Sequence, residues 1–311
     1  MQIIDFHSHY MGPSWALTNL AHLPPPARPL WEAINRTLQS PDALLASLEA
    51  AGVAARVLSA PTSFIEDEGG GIPPGAIERI NDQMAELVSA HPGKLHGLAT
   101  VDAFSGDAGA RELSRAVQEL ALRGVFVESA KGDLLLGAKE SRPTLAAAAS
   151  LGVPVFVHPV SDPRLDERFA RIGRMGVGLS RGTINSAALA SLLEGGTFDE
   201  LPGLQVVMTT LAMGGVLLAG GFGDGMGIRS DAPALTRRHV YVDTMGIHPK
   251  VVRCAVDLLG ADHVLVGTDW PIAAATPTPE RLQKAFAHAG LGAAEQQMIA
   301  SGNALRLLGA A

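Results

Sequence analysis

Gln2-Ile-Ile-Asp-Phe-His-Ser-His9 is a short apolar strand pattern that ends in two histidines separated by one residue. Residues two apart in a strand point to the same side, so His7 and His9 can reach one divalent metal ion where the strand ends. A His-x-His pair is a weak motif on its own, because two histidines near a sheet end also occur without a metal. Its meaning depends on partners elsewhere in the chain.

Two later strand patterns also end in residues of the metal-ligand type. Val153-Pro-Val-Phe-Val-His158 ends in histidine, and His263-Val-Leu-Val-Gly-Thr-Asp269 ends in aspartate. Proline follows each pattern, directly or after one tryptophan, and stops the strand. Three imidazoles and one carboxylate suit Zn²⁺ and also accept Mn²⁺, with a position left open for water or substrate. The sequence therefore predicts one divalent metal, with Zn²⁺ favoured, bound by His7, His9, His158 and Asp269.

Eight buried strand patterns alternate along the chain with Ala- and Leu-rich helical patterns. The strand patterns are Ile3–Phe6, Arg56–Ser59, Leu95–Val101, Val125–Glu128, Val153–His158, Gln205–Thr210, Val240–Thr244 and Val264–Thr268. This alternation predicts a parallel sheet, and eight repeats predict a closed (β/α)8 barrel, one α/β domain over residues 1–311. A barrel brings the metal-ligand strands to one rim, whereas the alternative, a doubly wound open sheet, would not join the first and last strands.

Composition narrows the classes of partner. The chain has 311 residues, 47% of them hydrophobic, and a net charge of -7, which argues against a nucleic-acid partner. No apolar run reaches about 18 residues without a charge, and no basic or apolar leader precedes the first strand, so we expect no membrane association. The single cysteine, Cys254, cannot form an internal disulfide, which agrees with a cytoplasmic location.

These motifs together resemble the amidohydrolase superfamily, in the amidohydrolase-related branch that includes aminocarboxymuconate-semialdehyde decarboxylase. The resemblance rests on the His-x-His strand, on Phe156-Val-His158-Pro and on Leu265-Val-Gly-Thr-Asp269-Trp-Pro, and it extends over nearly the whole chain. It implies a distorted TIM barrel, one catalytic metal, a homodimer, and chemistry on small carboxylic acids. Most members of the branch decarboxylate without an oxidant, and others hydrolyse or hydrate related compounds.

A metal-dependent decarboxylase of a small aromatic or unsaturated carboxylic acid is therefore the leading hypothesis. The metal would polarise a substrate oxygen and lower the pKa of bound water toward about 7, while Asp269 would carry the proton. The same groups would serve a hydrolase of a lactone or amide, or a hydratase. A third alternative is a barrel that retains its metal and binds a ligand without turnover.

The sixth strand departs from the family pattern. The family usually has a histidine at its end, and Thr210 stands at the matching position. A hydroxyl forms hydrogen bonds but does not exchange protons near neutral pH, so Thr210 cannot act as an imidazole base. His248, just after the seventh strand pattern, is the histidine best placed to substitute for it, although a loop residue without a role is an equal alternative.

The arginines that bind substrate in the family are also missing from their usual places. Carboxylate recognition would then fall to Arg229, Arg181 or Lys131, although each such residue is more often a solvated surface charge. Trp15 and Trp270 flank the metal motifs and would wall a planar substrate, unless they form a hydrophobic lid. Glu128, at the end of the fourth strand pattern, would be a partner of a metal ligand or form an ion pair with Lys131.

Overall fold

Eight parallel strand positions form the inner wall of the computed structural model, which describes residues 1–15, 20, 25–66, 71–221, 229–273 and 279–310. The strands are β1 Ile4–His9, β2 Ala55–Ser59, β3 Leu95–Gly97, β4 Ala99–Thr100, β5 Val125–Glu128, β6 Ala130–Lys131, β7 Leu134–Leu135, β8 Val155–His158, β9 Val206–Met208, β10 Val240–Asp243 and β11 Val264–Leu265. Strands β3 and β4 share the third position, and β6 and β7 form a small antiparallel ribbon outside the wall.

Backbone hydrogen bonds close this wall into a ring. One sheet has the order β1-β2-β3 and the other the order β11-β10-β9-β8-β5-β4, with every pair parallel. Only Leu98 separates β3 from β4, so the two sheets run into each other there. At the other seam, the amide of Phe6 donates to the carbonyl of Val266 at 2.8 Å, and the amide of Asp269 donates to the carbonyl of His7 at 2.8 Å. The predicted (β/α)8 barrel is confirmed.

Several predicted strands are longer than the observed ones. The third is split at Leu98, the sixth is confined to Val206–Met208, and the eighth ends at Leu265. At the eighth position the amides of Thr268 and Asp269 both point to the same carbonyl, that of His7, and this convergence breaks the regular ladder. The apolar pattern of residues 264–268 marks burial correctly but does not reveal this irregular pairing.

Helices pack around the wall, and the carboxyl-terminal helix also contributes to the cluster inside the barrel. They are α1 Arg28–Leu38, α2 Pro41–Ala51, α3 Ala76–Ala90, α4 Asp107–Gln118, α5 Arg142–Leu151, α6 Pro163–Phe169, α7 Arg174–Glu194, α8 Thr197–Glu200, α9 Met213–Gly221, α10 Ala232–His239, α11 Pro249–Leu259, α12 Pro279–His288, α13 Ala293–Gln297 and α14 Asn303–Leu307. Within the described ranges, no helix is both long enough and apolar enough to cross a membrane.

The buried side chains form two layers on either side of the strands. The larger layer lies between strands and helices and includes Val127 and Val157. The smaller layer fills the barrel and contains Phe6, Phe126 and Phe156, and it includes Ala304 and Leu308 of the carboxyl-terminal helix region. Because Phe126 stacks on Phe156 at 5.8 Å between ring centroids, the barrel interior has an aromatic layer, on which the side chains at the rim rest.

Candidate active site

A β-bulge in β1 directs both histidines of the His-x-His motif into the barrel. Asp5 pairs with Arg56 and Ser8 pairs with Leu58, so β1 advances by three residues over a stretch in which β2 advances by two. Strict alternation after Phe6 would have placed Ser8 inside and both histidines outside. The extra residue reverses the alternation, as bulges near active sites often do. The ring of His7 consequently lies 4.9 Å from that of Phe156 in the barrel interior.

Asp269 joins these two histidines at the rim. Its Oδ1 lies 3.1 Å from Nε2 of His9 and 3.5 Å from Nε2 of His7. Candidate ligand atoms of the three residues all lie within 4.8 Å of one another. Burial raises the pKa of the Asp269 carboxyl, but the hydrogen bond from His9 and the nearby imidazoles outweigh it and lower the pKa to about 2. The carboxylate therefore rests ionised beside two imidazoles.

In His7, His9 and His158, the Nδ1 atom contacts a side chain that is not a candidate metal ligand. His7 Nδ1 lies 2.6 Å from Asp243, His9 Nδ1 lies 3.0 Å from the hydroxyl of Ser59, and His158 Nδ1 lies 2.8 Å from Glu128. Such contacts fix ring orientation and leave Nε2 for a metal ion. Nε2 of His7 is buried and has no hydrogen-bond partner among the described residues. A buried nitrogen left open beside a second imidazole and a carboxylate fits a divalent cation.

His158 lies next to the group but is not part of it. Its ring centroid is 5.5 Å from that of His9, and its Nε2 lies 3.2 Å from Nη2 of Arg181. A guanidinium only donates hydrogen bonds, so Nε2 of His158 accepts here, and its Nδ1 donates to Glu128. Burial holds the pKa of His158 well below its usual value, and Arg181 lowers it further. His158 is therefore neutral, in the tautomer that a metal ligand requires.

Glu128 is the acidic residue at the rim that contacts His158. Its other oxygen accepts a hydrogen bond from the hydroxyl of Thr62 at 3.1 Å. Burial raises the pKa of the Glu128 carboxyl to about 7. The sequence allowed two partners for Glu128, and the structure pairs it with His158, whereas Lys131 pairs with Asp102 at 2.6 Å.

Thr210 is connected to the His7, His9 and Asp269 group through Asp243. Its hydroxyl donates to the carbonyl of Asp243 at 2.6 Å, and its amide donates to Oδ1 of Asp243 at 2.8 Å. Asp243 in turn contacts His7, so Thr210 orients the partner of a ligand-type histidine. His248 shares a small cavity of 80 Å³ with Thr210 and Asp243 and does not join the His7, His9 and Asp269 group.

A cavity of 280 Å³ opens beside the ligand-type residues. Its polar wall includes His9, His158, Asp269 and Arg181. Its apolar wall contains Trp31, Phe64, Val177 and Ile272. A neighbouring cavity of 510 Å³ shares Glu128 with it and is lined by Lys131 and other charged residues. The smaller cavity has the size and walls for one small planar molecule.

Of the residues predicted to bind substrate, Arg181 lines the 280 Å³ cavity, whereas Arg229, Lys131, Trp15 and Trp270 do not. Arg229 is held by Asp199 at 2.8 Å and by Asp231, so two carboxylates already neutralise its charge. Lys131 belongs to the neighbouring cavity. The indole of Trp15 donates to Gln83 at 2.9 Å, and Trp270 is buried with its ring 4.9 Å from the guanidinium carbon of Arg56. No sequence pattern distinguishes Trp31 and Phe64, which line the cavity in place of these tryptophans.

Comparison with known proteins agrees with this geometry. The family model described as Amidohydrolase matches residues 4–310. A 2-amino-3-carboxymuconate-6-semialdehyde decarboxylase of Dictyostelium discoideum is 26% identical over 241 residues, covering 74% of this chain and 65% of the relative. A gamma-resorcylate decarboxylase of Rhodococcus jostii is 27% identical over 227 residues, covering 62% of this chain and 65% of the relative. The chain thus spans about two thirds of the length of these curated relatives, at 65%.

A solved structure with the same fold carries a metal ion. It is a dihydroxybenzoic acid decarboxylase from Polaromonas sp. JS666 with bound manganese and the inhibitor 2-nitroresorcinol. The TM-score is 0.80 with 20% sequence identity, over 99% of this chain and 97% of that one. At this level of identity the likeness establishes the fold.

Proposed function

The chain belongs to the amidohydrolase family, and from this membership we propose that it is a metal-dependent decarboxylase of a small aromatic or unsaturated carboxylic acid. The observation that carries the proposal is the convergence of His7, His9 and Asp269, with a buried Nε2 of His7 that has no hydrogen-bond partner among the described residues. The named activities of the Dictyostelium and Rhodococcus relatives, both decarboxylases, support the reaction class.

One divalent metal ion is the proposed cofactor. His7, His9 and Asp269 would hold it, and His158 would join them once its Nε2 is released by Arg181. The bound ion would supply positive charge that polarises a substrate oxygen. Nitrogen and carboxylate ligands suit both Zn²⁺ and Mn²⁺, and the manganese in the Polaromonas structure makes Mn²⁺ the first ion to test.

Asp269 is the residue to which we assign proton transfer. Loss of CO₂ leaves the bonding electron pair on carbon, and a proton must take the place of the carboxyl group. Asp269 lines the cavity, and its low pKa means that it rests ionised and takes up a proton before it can donate one. Trp31 and Phe64 would exclude water from one face of a planar substrate.

A loading experiment tests the function directly. The protein would be stripped of metal, reloaded with Mn²⁺ or Zn²⁺, and assayed for CO₂ release from hydroxylated benzoic acids and unsaturated dicarboxylic acids. We expect one equivalent of metal and turnover in the wild type, and loss of both in His7→Gln and His9→Gln. His96→Gln, a change at a histidine on β3, is the matched control and should retain both.

Two outcomes would overturn this proposal. Stoichiometric metal with no CO₂ release across the panel would favour a ligand-binding barrel, and hydrolysis of a lactone or amide without decarboxylation would favour the hydrolase. Retention of a full metal equivalent by the His7 variant would remove that residue from the ligand set.

A homodimer is the proposed assembly. The apolar segment from Met213 to Phe222 is the contact surface that we propose, and Phe222 lies outside the described residues. Within the segment, Leu217 and Leu218 are exposed, and Met175 on the adjacent α7 is 72% exposed. Exposed apolar side chains on two neighbouring helices support a protein contact at this surface. A cytoplasmic location stays a prediction from the sequence.

A further inference from the structure

Arg181, on α7, places its guanidinium group in the wall of the 280 Å³ cavity. Its Nη2 donates to Nε2 of His158 at 3.2 Å, and its Nε donates to the carbonyl of Pro159 at 3.1 Å. Among the described residues no carboxylate forms an ion pair with Arg181, whereas Arg229 pairs with two. The cavity thus contains a cationic side chain that no carboxylate of the described residues pairs with directly.

The guanidinium charge acts on three side chains beside it. Burial lowers the pKa of His158 and of His9, and Arg181 lowers both further, while at Glu128 it offsets part of the rise in pKa that burial causes. Its Nη1 has no hydrogen-bond partner in the described part of the chain, so one edge of the fork remains available. A planar fork of N–H groups matches the two oxygens of a carboxylate.

His158 offers one lone pair to two cations. Nε2 of His158 accepts from Arg181 in this structure, and the same lone pair would bind a metal ion held by His7, His9 and Asp269. A guanidinium N–H and a metal ion cannot share it. Binding of the metal to His158 would therefore release Nη2 of Arg181 and leave both Nη atoms free for an anion, while Nε stays bound to Pro159.

We propose that Arg181 binds the carboxylate of the substrate, and that it exchanges its hydrogen bond to His158 for this anion when the metal binds. The inference rests on the proposed function and defines the ligand class as a small planar monocarboxylate. The carboxylate would lie against Arg181, and the ring would pack on Trp31 and Phe64, in a cavity that also exposes Asp269.

Metal affinity gives a test that does not depend on turnover. Arg181→Met removes the cation that competes for His158, so we expect Mn²⁺ to bind about 3- to 10-fold more tightly, measured by competition with a chelator. Arg181→Lys keeps the charge and should stay closer to the wild type. Arg174→Met is the matched control, because Arg174 is exposed on the same helix and its loss changes the net charge equally. Unchanged or weaker Mn²⁺ binding by Arg181→Met would overturn the exchange.

The same variant should change anion affinity in the opposite direction to its effect on metal affinity. Titration calorimetry on Mn²⁺-loaded protein would compare benzoate with benzamide, which has nearly the same shape but no charge. We expect Arg181→Met to weaken benzoate by about 10- to 100-fold and benzamide by much less, and Arg181→Lys to fall between. Equal weakening of both probes would indicate a merely structural role and overturn the proposal. The two proposals can fail separately. If Arg181→Met loses the preference for benzoate over benzamide, but the wild type releases CO₂ from no acid, this inference stands and the decarboxylase proposal is refuted.

Discussion

At the scale of single residues, each histidine of the candidate site has a polar side chain that contacts its Nδ1 atom. His7 is paired with Asp243, His9 with Ser59 and His158 with Glu128. Burial lowers the pKa of His9 and of His158, which keeps both imidazoles neutral near pH 7. Burial also lowers the pKa of His7, but Asp243, together with Asp269 and Asp5, outweighs burial and raises it. A bound cation would reverse that preference, because a metal ligand must be deprotonated at the ligating nitrogen.

Asp269→Asn should separate metal binding from proton transfer. Asparagine keeps an oxygen near the metal but cannot carry a proton, so we expect a loss of turnover of about 10²- to 10⁴-fold with a much smaller loss of metal. Elemental analysis and CO₂ release measure the two effects. Asp262→Asn, at an exposed position, is the control. Near-native turnover by Asp269→Asn would rule out the assigned proton carrier.

Thr210→Val should weaken metal binding indirectly, through Asp243 and His7. Valine is close in shape but cannot donate to Asp243, which would then orient His7 less firmly. We expect about tenfold weaker Mn²⁺ binding, the lower end of the effect of losing a ligand's partner. Thr210→Ser keeps the hydroxyl and should bind Mn²⁺ as the wild type does. Equal affinities for Val and Ser variants would show that the hydroxyl has no such role.

At the scale of elements, strand ends were predictable and local strand geometry was not. The strand pattern before His158 and the pattern before Asp269 place both residues at the rim, because parallel strands of a barrel end on one side. The bulge in β1 left no signal, since Asp5-Phe-His-Ser8 contains no glycine or proline. The apolar pattern of residues 264–268 also concealed how closely Gly267 approaches its neighbours.

Gly267→Ala should disrupt the seam between the last and first strands. A β-carbon at this position would lie 2.7 Å from Cβ of Asp243 and 2.8 Å from Cβ of His7. Those backbones would have to separate, at a cost of about 1–3 kcal/mol in the free energy of unfolding. Chemical denaturation and Mn²⁺ affinity should both fall. Gly203→Ala, where the nearest atom is 3.5 Å away, is the control. Unaltered stability of the Gly267 variant would contradict the close packing.

At the scale of the whole molecule, the sequence predicted the barrel and the region of the site, but of the cavity wall it named only Arg181, as one of three candidates. The eight strands follow from local periodicity, whereas the position of Arg229 depends in part on Asp199, 30 residues earlier in the chain. The direction of Arg181 depends on how α7 packs, which periodicity does not specify. The expectation of one domain over residues 1–311 stays a prediction, as does the assembly.

Met175→Glu and Leu218→Glu test the proposed homodimer. Both side chains are exposed on the apolar surface of α7 and α9, so a charge should disfavour contact without affecting the core. Light scattering at micromolar concentration should give a dimer for the wild type and a monomer for the double variant. Arg253→Glu, on α11, is a charged-surface control. A wild type that is monomeric throughout this range would refute the assembly.

The closure of the barrel by β1 and the segment after β11 has a consequence during synthesis. His9 and Asp269 are 260 positions apart along the chain, yet they form one hydrogen-bonded pair. A ribosome that has made only the first half of the protein has produced both histidines of the motif without their carboxylate partner. The growing chain therefore cannot assemble this three-residue group until residue 269 has left the exit tunnel. Cofactor capture would then be a late event, which keeps partly made chains from acquiring the ion through this group.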